Sequence, residues 1–142
     1  MVDPYGLDRF VQAQEPVMAQ VLAELAAGRK RTHWMWFVFP QIAGLGRSVM
    51  AQRYALGSLE EARAYLAHPV LGARLVRCVG VVNGLGGRTV REIFGSPDDL
   101  KFHSCVTLFA LAEPEETLFR KALDRYFGGQ LDAATVREIM DT

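Results

Sequence analysis

Helix-start signals punctuate this chain from Ser48 to Asp132, and almost nothing between them reads as a strand. Ser58-Leu59-Glu60-Glu61 and Thr89-Val90-Arg91-Glu92 are capping boxes, in which a hydroxyl and a carboxylate satisfy free N–H groups of a first turn. Ser96-Pro97-Asp98-Asp99 is the strongest start, with a capping serine, a proline suited to a first turn, and two acids facing the positive end of the helix. Pro114-Glu115-Glu116 opens another helix, and Ser48 and Asp132 can each cap one. Gly28, Gly95 and Gly128-Gly129 supply the matching stops.

Apolar periodicity fills the intervals. Leu7, Phe10, Val11 and Gln14 share a face of a first helix, and Pro16 interrupts it. Val17, Val21, Leu22 and Leu25 recur at helical spacing as far as Gly28. Further helices are expected over 49–56, from Ser58 to Ala67, over 69–82 behind His68-Pro69, and from Thr89 to Gly95. Three more follow, from Pro97 to Ala112, from Pro114 to Gly128, and from Asp132 to Met140. Asn83-Gly84-Leu85-Gly86-Gly87 reads as a turn. The expectation is one all-α domain over residues 1–142.

The bulk properties narrow function. Sixteen basic residues balance sixteen acidic ones, so sequence-independent binding of nucleic acid is not expected and only a local basic patch can serve. No apolar run approaches the ~20 residues that cross a bilayer, and the N-terminus lacks a signal-peptide pattern. Cys78 and Cys105 lie in apolar helical contexts and read as buried thiols, which fits a cytoplasmic protein. The cysteines and the three histidines share no metal-ligand spacing, so neither a metal nor a cofactor is expected.

Residues 29–48 concentrate the chemistry. Arg29, Lys30 and Arg31 lead into both tryptophans, Trp34 and Trp36, then Phe37 and Phe39, Pro40-Gln41, and the turn Gly44-Leu45-Gly46-Arg47-Ser48. Cations, flat rings and a bendable backbone suit a pocket for a planar anion; they suit a buried hinge between helices equally. Arg47 offers a planar fork of donors beside Ser48, where N–H groups at a helix start can hold the same anion. Arg29 to Arg31 also read as a solvated helix end, where cations face the negative pole. The Gly-x-Gly is too short for a dinucleotide fingerprint and has no βαβ frame. Trp34 and Trp36 point apart in any regular structure, so one belongs to the core and the other can be a stacking platform for a base or nicotinamide-like ring. The 34–39 run has no partner strand and reads as a helix start or extended connector.

On the helix from Pro97 to Ala112, Phe102, Val106 and Phe109 form a core face, while Lys101, Ser104 and Leu108 share another. The second face is either a site wall or carries only a Lys101–Asp98 surface pair. No serine-hydrolase arrangement is present. The candidate ligand residues are therefore Trp36, Gln41, Arg47, Ser48, Lys101 and Ser104. The candidate catalytic groups are Lys101, Ser104 and His33, the histidine beside the aromatic run; His68 reads as a helix end.

Motifs spread along the chain carry a resemblance. They are Trp34-Met35-Trp36-Phe37-Val38-Phe39-Pro40-Gln41, Gly44-Leu45-Gly46-Arg47-Ser48, Tyr54, Glu61-Ala62, Tyr65-Leu66, His68-Pro69-Val70-Leu71-Gly72, Ile93-Phe94-Gly95, Asp98-Asp99-Leu100-Lys101 and Thr107-Leu108-Phe109. Over about residues 5–135 the chain resembles the bacterial family of domain of unknown function 1810. That resemblance implies a small all-α domain and no particular reaction. The family usually reads Lys-x-x-Ser-Ser-Met-Thr-Leu-Phe; here Lys101, Ser104 and Thr107 persist but the second serine is Cys105, so no role for that hydroxyl carries over. A weaker similarity is to the NADAR family, all-α enzymes linked to ADP-ribose and related N-glycosides, with counterparts at Ala62, Pro69, Gly72, Arg74 and Lys101-Phe102. The acidic residue that such hydrolysis needs is not evident in the sequence. The expected function is binding, or N-glycoside hydrolysis, of a phosphorylated nucleotide-like ligand related to ADP-ribose. The rival is a non-enzymatic interaction or structural domain with the aromatic run buried as core.

Overall fold

Ten helices form among residues 2–141, which the structure, a computed structural model, describes. α1 (Asp8–Gln14) and α2 (Met18–Ala26) precede the aromatic run. That run makes one helical turn, α3 (Met35–Val38), and then extends toward α4 (Val49–Arg53). α5 (Leu59–Ala67), α6 (Leu71–Gly84), α7 (Val90–Phe94), α8 (Asp98–Ala112), α9 (Thr117–Phe127) and α10 (Ala133–Met140) complete an all-α chain. The side chains of Ser48, Ser58, Thr89, Glu116 and Asp132 each accept from a first-turn N–H of the helix that follows. Gly28 and Gly128 sit at positive φ just past α2 and α9, where the left-handed conformation ends a helix without a Cβ clash.

Three local expectations shift. Asn83 and Gly84 close α6 instead of leaving it, and the turn begins at Leu85. Ser96 does not cap α8: Pro97 holds the cap position without any side-chain acceptor, and Asp98 turns toward Lys30 and Lys101 instead. The Ser58 box is half formed. Ser58 Oγ accepts from Glu61 N–H, but the Glu61 carboxylate reaches back to Gly57 N–H and pairs with Arg9.

α8 is the axis of the core. Phe102, Cys105, Val106, Leu108 and Phe109 are all fully buried, so apolar side chains leave this helix in every direction. It packs against α5, α7, α9 and α10, and α6 packs against α2, α5 and α9. Phe39 stands edge-on to Phe94 and Phe102, at 5.6 and 5.2 Å between ring centroids, and welds the aromatic run to α7 and α8. The α5–α6 corner is equally tight. His68 Nδ1 accepts from Val70 and Leu71 N–H, and a Cβ on Gly72 would lie 1.9 Å from the Leu66 carbonyl oxygen. No single helix among the described residues is long and apolar enough to cross a membrane.

Candidate functional site

The segment leaving α3 is fixed before any site forms. Leu56 N–H donates to Gln41 O at 2.9 Å and Ala43 N–H to Leu56 O at 2.8 Å, an isolated bridge that centres on Ile42 and Leu56. Arg9 clamps the other side of this bridge, with Nε on Arg53 O and Nη2 on Ala55 O. Ile42 points inward at 2% exposure, and the alternation of an extended chain turns Gln41 the other way.

A cleft of about 150 Å³ results. Its floor is apolar: Met35, Phe39, Ile42 and Tyr54, all buried. Trp36, Gln41, Gln52 and Lys101 supply its more polar walls. Trp36 is only partly buried, unlike Trp34, which is 1% exposed. The Lys101 ammonium lies 5.5 Å from the centroid of the Trp36 ring, within reach of a cation–π contact. It also lies 3.5 Å from Asp98 Oδ1, while Lys30 holds Asp98 Oδ2 at 2.8 Å. One carboxylate thus serves two ammonium groups, one per oxygen.

A second depression, about 320 Å³, adjoins the first and shares Gln41, Gly46 and Lys101 with it. Gly46 leaves no room for a side chain at this junction, since a Cβ there would meet Ala51 Cβ at 2.4 Å. Leu100, Ser104 and Asp132 line the far side. Ser104 Oγ lies 3.0 Å from Asp132 Oδ2 and 3.1 Å from Leu100 O, so its one proton is shared between them. Asp132 Oδ2 also accepts from Thr135 N–H and Thr135 Oγ1–H, whereas Oδ1 accepts no bond from the described residues. Thr107 Oγ1 accepts from Asp132 N–H, so the Lys101-Ser104-Thr107 face of α8 is where the start of α10 docks.

Of the residues singled out in the sequence, Trp36, Gln41, Lys101 and Ser104 come together across these two depressions. Arg47 and Ser48 do not line either one. Arg47 is exposed with no ion pair among the described residues, and Ser48 Oγ is engaged in capping α4, a helix of five residues. His33 is exposed and also lies outside both. Arg74, one of the NADAR counterparts, lines neither depression; it pairs with Glu15 at 2.5 Å and donates to Gln14. The sequence reading missed Tyr54 and Asp132. Tyr54 was visible only as part of a motif, and Asp132 only as a helix cap, because a local capping signal does not state which other helix face the cap lies against. Among the described residues no three His, Cys, Asp or Glu side chains gather to hold a metal ion.

Comparison with known proteins agrees with this architecture. The crystal structure of the conserved hypothetical protein Rv1873 from Mycobacterium tuberculosis is similar over 99% of this chain and 100% of its own, at 55% identity and a TM-score of 0.96. No curated protein matches the sequence. The family model described as "Protein of unknown function (DUF1810)" matches residues 4–139, and the chain therefore belongs to the DUF1810 family.

Proposed function

We propose that the paired depressions bind a small phosphorylated, nucleotide-like ligand, with its planar ring in the apolar cleft against Trp36 and its phosphate side over Lys101 toward Ser104. The observation that carries this reading is the junction at Gln41, Gly46 and Lys101, where an apolar slot opens onto a polar one. The slot alone takes about one ring; the two together reach the ~300–1,000 Å³ of small-molecule sites. A partly buried indole suits base stacking, worth roughly 1–3 kcal/mol. Lys101 adds a mobile point charge, and the Gln41 amide can both donate to and accept from a ring edge.

The catalytic form of the proposal is hydrolysis of an N-glycosidic bond, related to ADP-ribose chemistry. The bond from the sugar C1′ to the base nitrogen breaks, water gives its hydroxyl to C1′, and the proton released from the water passes by way of a carboxylate to the leaving base. Asp132, which lines the second depression, is the carboxylate that in this reading takes the proton from the water and passes it on.

Melting shifts test the binding step. ADP-ribose, NAD, mononucleotides and inorganic phosphate are compared on wild type, Trp36→Ala, Lys101→Ala and Arg47→Ala. A ligand at 100 times its Kd adds about 2.7 kcal/mol, a shift of roughly 8 °C for a chain this long. The expected pattern is a shift with a ring-bearing phosphate that both Trp36→Ala and Lys101→Ala lose. An undiminished shift in both variants overturns the site, and one that survives Arg47→Ala removes Arg47 from the ligand set. No shift with any compound favours an interaction domain, for which Leu100, 62% exposed on the rim, is the available contact.

A further inference from the structure

Lys30 and its two neighbours part company in the fold. The Lys30 side chain turns inward, 7% exposed, to Asp98 and over the Trp34 ring at 4.9 Å. Arg29 and Arg31 therefore face outward, and both line a separate depression of about 420 Å³ at the end of α2. Arg88 joins them from the α6–α7 loop. Its stem crosses Gly28 so closely that a Cβ there would lie 2.7 Å from Arg88 Cδ.

None of these three arginines has a carboxylate within ion-pair distance among the described residues. The one carboxylate in the lining is Glu24, and it is already saturated. Its two oxygens accept from Arg31 and Thr32 N–H, Thr32 Oγ1–H, Trp34 Nε1–H and Gln20 Nε2–H. The same bonds fix the backbone that carries Arg31. Three arginines thus share one concavity with the single carboxylate of Glu24, whose oxygens are taken by other donors, while Glu92 attracts Arg88 from outside ion-pair distance; the lining keeps an excess of positive charge. Clustered guanidiniums repel one another, and a bridging anion relieves that repulsion with paired N–H donors.

We propose that Arg29, Arg31 and Arg88 form a second site, separate from the Trp36–Lys101 cleft, that binds the phosphoryl or diphosphoryl group of a small molecule. The site does not depend on the function proposed for the cleft. Both inorganic phosphate and a phosphoryl group on a larger metabolite fit this chemistry.

Calorimetric titration of the full chain with inorganic phosphate, pyrophosphate and ADP-ribose tests it, alongside amide NMR. Pyrophosphate should bind and move the amide signals of residues 28–32 and 86–89. Arg88→Ala and Arg29→Ala should each weaken it about tenfold or more, and Arg88→Lys should restore only part of the loss. Lys101→Ala should leave pyrophosphate affinity unchanged, which separates this site from the cleft. Tighter binding of ADP-ribose than of pyrophosphate, lost in Arg88→Ala, would show that the phosphoryl group arrives on a larger molecule. All four variants are at exposed or partly exposed positions, and their unliganded melting temperatures serve as the folding control. Unchanged affinity in Arg88→Ala, or no binding of either phosphate or pyrophosphate, overturns the proposal. So does an oligonucleotide that outcompetes pyrophosphate with a steep salt dependence, since the patch would then track a nucleic-acid backbone.

Discussion

Replacing Glu24 by glutamine should flatten the acid limb of this protein's stability. Glu24 is 4% exposed and forms no ion pair among the described residues; neutral N–H and O–H donors make its direct bonds, although Arg29, Arg31 and Arg88 line the same depression. Burial pushes the carboxyl up, but hydrogen bonds from Thr32, Arg31 and Gln20 outweigh that and bring it from 4.5 down to about 2. A carboxyl depressed in the folded state stabilises the fold fully above its unfolded value and loses that contribution as pH falls toward the folded one. The window here runs from pH 4.5 down to about 2. A shift of that size corresponds to about 3 kcal/mol. In Glu24→Gln the group no longer titrates, and an amide nitrogen replaces one acceptor oxygen, facing the Gln20 donor. At neutral pH the variant should be less stable by about 2–3 kcal/mol, from weakened charge-assisted bonds. Urea unfolding of both proteins between pH 7 and pH 2.5 measures this. The two stability curves should converge as pH falls, because only wild type loses the Glu24 contribution. Parallel curves would refute the reasoning and show that the donors leave Glu24 in the folded protein.

Two further outcomes follow from packing. Gly72→Ala places a Cβ 1.9 Å from the Leu66 carbonyl oxygen, so α5 and α6 must separate; a cost of about 3 kcal/mol and a melting point roughly 10 °C lower are expected. Burial pushes the Cys78 thiol up to about 12 and raises that of Cys105 well above its usual range, so neither is a thiolate at neutral pH. A disulfide-exchange reagent should therefore find both thiols only after denaturation, and rapid reaction of either in the native protein would contradict their placement.

The helices were legible because their signals are local. A hydroxyl three residues before a first-turn N–H, or a glycine past the last turn, acts over a few ångströms, and Ser48, Thr89, Asp132, Gly28 and Gly128 are used as read. Ser96 failed as a cap because the helix starts one residue later than read: Pro97 holds the cap position, and the Asp99 N–H donates to Gly95 O. The cleft was legible only in part. Trp36 and Gln41 are close in sequence and reach it together, but Lys101 and Asp132 arrive from helices whose faces meet only after packing. Periodicity states which residues of a helix share a face and not which other face lies opposite. The same limit hid Arg88, which joins Arg29 across Gly28, and it hid Glu24, which looks in the sequence like any surface residue of an amphipathic helix.

The shared carboxylate of Asp98 gives Lys101 an exchangeable partner. Most buried-edge lysines that leave an ion pair strand the acid they abandon, and that loss opposes any new contact. Here the shorter and more enclosed bond belongs to Lys30, at 2.8 Å, and the longer one to Lys101, at 3.5 Å. Under the proposed function, an anion in the cleft would draw the Lys101 ammonium away while Lys30 keeps Asp98 neutralised. The switch then costs little in the empty protein and leaves no bare charge behind. The Lys30–Asp98 bond joins the segment before the aromatic run to α8 whichever partner the Lys101 ammonium takes.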